Sequence, residues 1–304
     1  MITTIYINHR CRKQIQIVFL SVIIPTYNRS LHLRYTLLSV AAQKKISFSD
    51  FEVIVVDDGS SDDSKDVIWA FSGIINISYL YQDDLGYRVS SARNLGIEAS
   101  RGDVLLFIDC GILLDEECLK EHIEHHQSTV KKCVVVGSIL GIALTSEANE
   151  KFKELINPLD IKASFLSLHA ANCDEDIRKA VFAMCNKEFD CLPAPWSLSW
   201  TGNLSVVKSE IVSVGCFDKC YDGRWGMEDI DLAFRLYLKG IAFKYLGAAA
   251  SIHYPHISNF AEKLEDERLN KIYFNNKFHT KESKLLLSSS TMELNLLLSD
   301  NSAL

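Results

Sequence analysis

An α/β fold with a mostly parallel central sheet flanked by helices is what this sequence of 304 residues predicts, on three observations. Short β-branched or aromatic runs alternate with stretches of helical spacing through the first half of the chain. Polar residues, several of them acidic or beside glycine, follow directly after the apolar runs. No internal repeat interrupts the pattern. Such alternation puts helices on both faces of a parallel sheet, and ligands then bind outside the carboxyl ends of the strands.

Strands are expected at Gln16 to Ile24, Phe51 to Val56, Asn76 to Tyr81 and Val104 to Ile108, with helices at Leu31 to Gln43, Ser64 to Phe71, Ser90 to Ala99 and Glu116 to Gln127. Cys133 to Gly137 reads as a fifth strand. Residues 144–195 read as an irregular and helical insertion between a first half at about 16–137 and a second at about 199–255. Order returns with Asn203 to Val207, a short helix from Lys208, a Gly-rich turn at Tyr221 to Gly226 and a helix from Glu228 to Lys239 that Gly240 ends. Ile230, Ala233, Phe234, Tyr237 and Leu238 share one face of that helix, leaving Glu228, Asp231 and Arg235 on the other. Ile241 to His253 predicts a last strand and Phe260 to Phe274 a polar helix. Lys284 to Leu304 has the Ser/Leu-rich composition of a mobile tail. The domain is thus expected at 1–255, with 256–304 appended.

A hydrophobic content of 48% is ample for a core, and 32 Lys plus Arg against 39 Asp plus Glu give a net charge of −7. That balance speaks against nucleic acid as a partner, and an anionic substrate would need a local cation. The nine cysteines, at 11, 110, 118, 133, 173, 185, 191, 216 and 220, include no CxxC pair or zinc-like spacing and read as reduced thiols of a cytoplasmic protein. The apolar stretch from Ile15 to Ile24 is half the roughly 20 residues a transmembrane helix needs, so no transmembrane segment is expected, though peripheral membrane association is compatible with the sequence.

Six polar segments carry the chemistry. Ser21 to Arg29, SVIIPTYNR, sets Pro25, Thr26, Tyr27 and Asn28 at a strand end, where a plain turn is the alternative. In VIVVDDGSSDDS, Asp57 and Asp58 leave a buried strand together beside Gly59; they can cap a turn, or accept the imide N–H of a uracil and the hydroxyls of a ribose. Arg88 and Arg93, around SARNLG, either sit on a solvated helix face or bring a guanidinium to a diphosphate. Asp109 emerges from DVLLFIDCG into a Cys-Gly turn, where an acid needs a partner such as a divalent cation. Glu228 and Asp229 in WGMEDIDLAFRL suit a helix start by the macrodipole, and equally a general base facing a sugar hydroxyl. His253 in SIHYPH is either structural or a ligand.

SVIIPTYNR, VIVVDDGS, SARNLGIEASRGDVLLFID, TGNLSV, GCFD and WGMEDIDLAFRL, in this order over about residues 20 to 255, resemble family 2 glycosyltransferases of the GT-A fold. The C-terminal segment is similar to the galactosyltransferase-type part of chondroitin-polymerase-like enzymes. The resemblance implies an inverting transferase moving a sugar from a UDP-sugar to a carbohydrate or glycoconjugate acceptor in polysaccharide biosynthesis. It implies Pro25, Thr26, Tyr27 and Asn28 as a pocket wall, Asp57 and Asp58 on uracil and ribose, and Arg93 near the nucleotide sugar. Asp109 becomes the first acid of a DxD motif holding Mn²⁺ or Mg²⁺ with His253, and Asp229 the base beside Glu228. Gly111 replaces the motif's second acid, and a GT-A-like binding or assembly subunit without turnover is the rival that this departure favours.

Overall fold

Apolar runs buried on both faces set the architecture of the computed structural model, which describes residues 18–300 apart from 130, 144, 187 and 257–259. Strands β1 (Leu20–Thr26), β2 (Phe51–Asp57) and β4 (Val104–Ile108) are buried almost without a break, while β3 (Ile77–Tyr81) is half-exposed at the sheet edge. Continuous rather than alternating burial is the mark of parallel strands covered on both sides. The expected start of β1 at Gln16 and Ile17 lies outside the described residues, as do Cys11 and residues 301–304 of the tail.

Between these strands run α1 (Ser30–Ala41), α2 (Ser64–Phe71) and α3 (Val89–Ala99), followed by the short β5 (Ile112–Leu114) and α4 (Cys118–Ser128). Then come β6 (Cys133–Leu140), helices α5 (Ser146–Leu155), α6 (Ile161–Ala170) and α7 (Lys179–Cys185), and β7 (Asn203–Val207). The chain continues with α8 (Lys208–Ser213), α9 (Glu228–Leu238), β8 (Ala242–His253), α10 (Phe260–Phe278), α11 (Lys281–Leu285) and α12 (Leu294–Asp300). The eight strands form one sheet in the order β3-β2-β1-β4-β7-β6-β8-β5. The β3-β2-β1-β4 half is wholly parallel, whereas β7 runs antiparallel to both β4 and β6, and β5 antiparallel to β8. The chain turns to opposite sides of β1 at β2 and β4, and a crevice opens at such a switch point.

Four details depart from the sequence reading. Pro25 does not interrupt β1: it pairs in register with Val56, and pairing with β4 ends at Ile23, so one side of Pro25 needs no ladder bond. β5 is a strand too short to be read from composition, made by the turn after Asp109. On α9, Tyr237 and Leu238 are exposed, whereas Leu232, Leu236 and Asp231 are buried, because the helix is covered on a second side. That cover is α10 to α12: Phe274, Leu286 and Leu294 are buried in the same core as Trp196 and Phe234, and Asn295 exchanges hydrogen bonds with the backbone of Ala194 at 2.9 and 3.1 Å. The expected tail is therefore folded in through residue 300. Among the described residues no helix is long and apolar enough to cross a membrane.

Candidate active site

Two acidic clusters stand at the carboxyl ends of β1, β2 and β4. In the first, Asp57 is buried, its Oδ1 accepting the Ser60 N–H at 2.7 Å and its Oδ2 the Tyr79 hydroxyl at 3.0 Å. Asp58 accepts from the Gln82 amide at 2.5 Å and the Arg88 N–H at 2.7 Å, with the Arg88 guanidinium 3.6 Å away; burial raises its pKa against these partners. Gly59 allows the loop after β3 to come this close, since a Cβ there would lie 2.4 Å from the Asp84 nitrogen. Across the crevice, the Asn28 N–H donates to Ser60 Oγ at 2.8 Å, and Asn28 Oδ1 accepts from the Ser61 N–H at 2.8 Å. The exposed Tyr27 donates to Asp84 at 3.0 Å, and the buried Thr26 hydroxyl reaches Cys110 Sγ at 3.6 Å. Pro25 to Asn28 thus clasp the Asp57 loop into one wall.

The second cluster joins residues far apart in sequence. Arg93, 3% exposed, donates from Nη1 to Glu228 Oε1 at 2.7 Å and from Nη2 to Asp109 Oδ1 at 2.9 Å, with its guanidinium 5.3 Å from the Phe217 ring centroid. Asp222 fixes the helix that carries it, accepting the Ser90 N–H at 3.1 Å and the Ser91 hydroxyl at 2.5 Å at the start of α3. This ties the Tyr221 to Gly226 turn to α3, so the acids that follow the turn are placed relative to Arg93. Met227 takes a left-handed φ of 74° just before Glu228.

The two acids of the pair differ in partner. Glu228 is ion-paired with Arg93, while Asp229 accepts only the N–H of Ile230, at 2.8 Å, among the bonds formed by described residues. Burial, then the charge of Glu228, push Asp229 up to about 7, against the opposing pull of Arg93. Tyr87 joins the cluster: desolvation and then Glu228 raise its phenol well above the ordinary value. Asp109 keeps a half-exposed carboxylate, 47% exposed, beside its bond to Arg93.

His253 pairs with Ile112 across β5 and β8, close enough to Asp109 for that charge to oppose the burial that lowers it to about 4. His32 and His256 pack nearby, the ring centroids of His253 and His256 lying 5.1 Å apart and those of His32 and His256 6.0 Å. One ring nitrogen on each of the three is buried without a hydrogen bond. Gly111 has a φ of 104°, where a side chain is strained, and its missing Cβ would face His32 at 3.6 Å. Among the described residues no group of three His, Cys, Asp or Glu is arranged around one point for a metal ion. Asp109 with a neutral His253, one nitrogen of which is orphaned, fits a cation held by two protein groups.

The sequence reading aims Arg88 and Arg93 at a ligand diphosphate. In the fold both are committed to protein groups: Arg88 to Asp58 and the Asp83 carbonyl, and Arg93 to Asp109 and Glu228. Tyr87, Asp222, Gln82 and Tyr79 are site residues that it left out. Gln82 and Tyr87 had a local signal in the polar stretch that follows a strand, and Asp222 had one as the acid of the Gly-rich turn.

Residues 21–180 match the family described as Glycosyl transferase family 2. The chain is 33% identical over 237 residues to validoxylamine A glucosyltransferase of Streptomyces hygroscopicus subsp. jinggangensis, covering 78% of this chain and 56% of that protein. It is 30% identical over 249 residues to chondroitin synthase of Escherichia coli, covering 80% of this chain and 35% of that one. The chain therefore spans about half the length of the glucosyltransferase and a third of the synthase. Among solved structures, S. aureus TarS 1-349 in complex with UDP-GlcNAc superposes with a TM-score of 0.54 at 20% identity, over 85% of this chain and 67% of that one. The mannosyltransferase PcManGT from Pyrobaculum calidifontis, in complex with GDP-Man and Mn²⁺, gives 0.59 at 12% identity, over 93% and 69%. These likenesses bear out the GT-A fold, and with the match over 21–180 the chain belongs to glycosyl transferase family 2.

Proposed function

We propose that the chain transfers a sugar from a UDP-sugar to an acceptor hydroxyl with inversion at the anomeric carbon. The observation that carries this is the division of labour between Glu228 and Asp229. Arg93 neutralises Glu228, whereas Asp229 forms no ion pair among the described residues and has a proton affinity near neutrality, the condition for a general base at physiological pH. Asp229 takes the proton of the acceptor hydroxyl as its oxygen attacks the anomeric carbon, and the bond from that carbon to the diphosphate oxygen breaks on the opposite face. Glu228 and Arg93 hold the geometry around the base.

The wall of Pro25, Thr26, Tyr27 and Asn28 with Asp57 and Asp58 takes the uridine. The two acids have lone pairs left beside their internal bonds, and they also fix the loops that shape the pocket. Asp109 and His253 would hold a divalent cation, Mn²⁺ or Mg²⁺, which when bound offsets negative charge on the diphosphate. The relatives that act on sugars and the solved neighbours with UDP-GlcNAc or GDP-Man support a nucleotide-sugar donor; a carbohydrate or glycoconjugate acceptor rests on the same relatives.

The test is UDP release from a panel of UDP-sugars by the full chain. Turnover with at least one donor is expected. Tight UDP binding with no turnover on any donor or added saccharide would replace this reading with that of a binding or assembly subunit.

A further inference from the structure

The turn that delivers Glu228 and Asp229 is held in a costly backbone shape. Gly223 and Gly226 take φ of 91° and 89°, and Met227, which carries a side chain, follows at 74°. A left-handed φ at such a residue is strained and persists only where the surroundings over-determine it. Met227 is buried, and its carbonyl accepts the Asp231 N–H at 2.9 Å, so the strained residue also opens α9. The two acids come directly after it. Any relaxation at Gly226 and Met227 therefore swings both carboxylates.

The restraint comes from α10. Asp266 and Asn270 lie four residues apart and share one face of that helix. Asn270 is fully buried, and both ends of its amide are committed to the turn. Its Nδ2 donates to the Gly226 carbonyl at 2.7 Å and to the Trp225 carbonyl at 3.2 Å, while its Oδ1 accepts from Arg224 Nε at 2.9 Å. Asp266 Oδ2 accepts the Trp225 N–H at 3.0 Å. Three backbone groups just before Met227 thus end on two side chains of one helix.

Further along, α10 is fixed to α9 itself. The Phe274 ring lies 5.4 Å from that of Phe234, and Lys277 Nζ donates to Asp231 at 2.7 Å and to Asp218 at 2.6 Å. The helix grips the chain on both sides of the acid pair. Apolar contacts such as Phe274 are enough to dock a helix, whereas a buried amide is costly to place unless its bonds are met, and those bonds fix one backbone shape.

We propose that Asn270, with Asp266, is a positioning residue for the base: the two side chains hold the left-handed link at Gly226 and Met227 and so fix where Asp229 points. This rests on the reading of Asp229 as the base, and it brings α10, outside the 21–180 segment that matches the family, into the transferase machinery. The experiment is steady-state kinetics of the full chain with the UDP-sugar it turns over best, together with UDP calorimetry, for Asn270→Ala, Asp266→Ala and Asp266→Asn. Thermal melts show which variants are folded at the assay temperature. Asn270→Ala should lower kcat roughly 10- to 100-fold with UDP affinity within about twofold of the parent, because a misplaced base costs rate and leaves donor binding intact. Asp266→Ala should lose roughly three- to tenfold in kcat, and Asp266→Asn, which keeps an acceptor oxygen for the Trp225 N–H, should recover most of that. If Asn270→Ala does not fold, the two Asp266 variants decide. Parental kcat in the folded alanine variants, equal losses in Asp266→Ala and Asp266→Asn, or UDP affinity falling as far as kcat would overturn the positioning role while leaving the transfer reading intact. No turnover of any UDP-sugar by the parent would overturn both.

Discussion

The two adjacent acid pairs, Asp57–Asp58 after β2 and Glu228–Asp229 at the start of α9, look alike in sequence and do opposite things in the fold. Every oxygen of the first pair accepts a hydrogen bond from the protein. In the second pair one acid is locked to Arg93 with an oxygen left unsatisfied, and the other is held near neutrality in its proton affinity. A pair whose bonds are complete organises backbone, and a pair left incomplete and mutually repelling retains chemical potential for a substrate.

The sharpest way to break this contrast is Asp229→Asn, which keeps size and loses basicity. Turnover should fall about 10²- to 10⁴-fold while UDP affinity in calorimetry stays within about twofold of the parent. Glu228→Gln comes next. It leaves the buried Arg93 with Asp109 alone and should lower stability in denaturant melts by about 3 kcal/mol, with acceptor affinity hurt more than chemistry. Asp57→Ala strands the Ser60 N–H and the Tyr79 hydroxyl and should cost about 2 kcal/mol in the same melts, with weakened UDP binding following from the loosened wall.

The smallest effect is on pH. Folding raises the Asp229 pKa from the ordinary 3.8 to about 7, so the native state binds this proton more tightly than the unfolded chain does. The stability that goes with it is present in full at low pH and is lost as pH rises through about 7. Activity should run the other way, increasing through about 7 as the base loses its proton. Asp229→Asn should accordingly raise the melting temperature relative to the parent at pH 8 and not at pH 4. A parent and variant with parallel stability curves over that range would contradict the assignment.

What the sequence shows of the site is its local part. The β2 run ends on Asp57 and Asp58 because a buried apolar strand must end in polar residues at its mouth, and that junction can be read directly. Asp109 and Asp229 follow by the same logic of strand and helix ends. Arg93 was visible as a cation, but not its partners, since Glu228 lies 135 residues away and only the fold brings them together. The burial of α9 on a second side was illegible for the same reason: its cover is the polar α10 and the Ser/Leu-rich stretch through α12, whose few buried side chains, Phe274, Leu286 and Leu294, give no clear period. β5 has three residues, too few to carry a pattern.

The central claim, that Asp229 is the base of an inverting transfer from a UDP-sugar, is tested most directly by following the anomeric product by NMR as the parent, Asp229→Asn and Glu228→Gln turn over the best α-linked UDP-sugar donor. The parent should release the β-anomer first, Asp229→Asn should do so at least about 100-fold more slowly with UDP binding intact, and Glu228→Gln should keep measurable turnover. Initial release of the α-anomer, or near-parental turnover in Asp229→Asn with Glu228→Gln inactive, would contradict it.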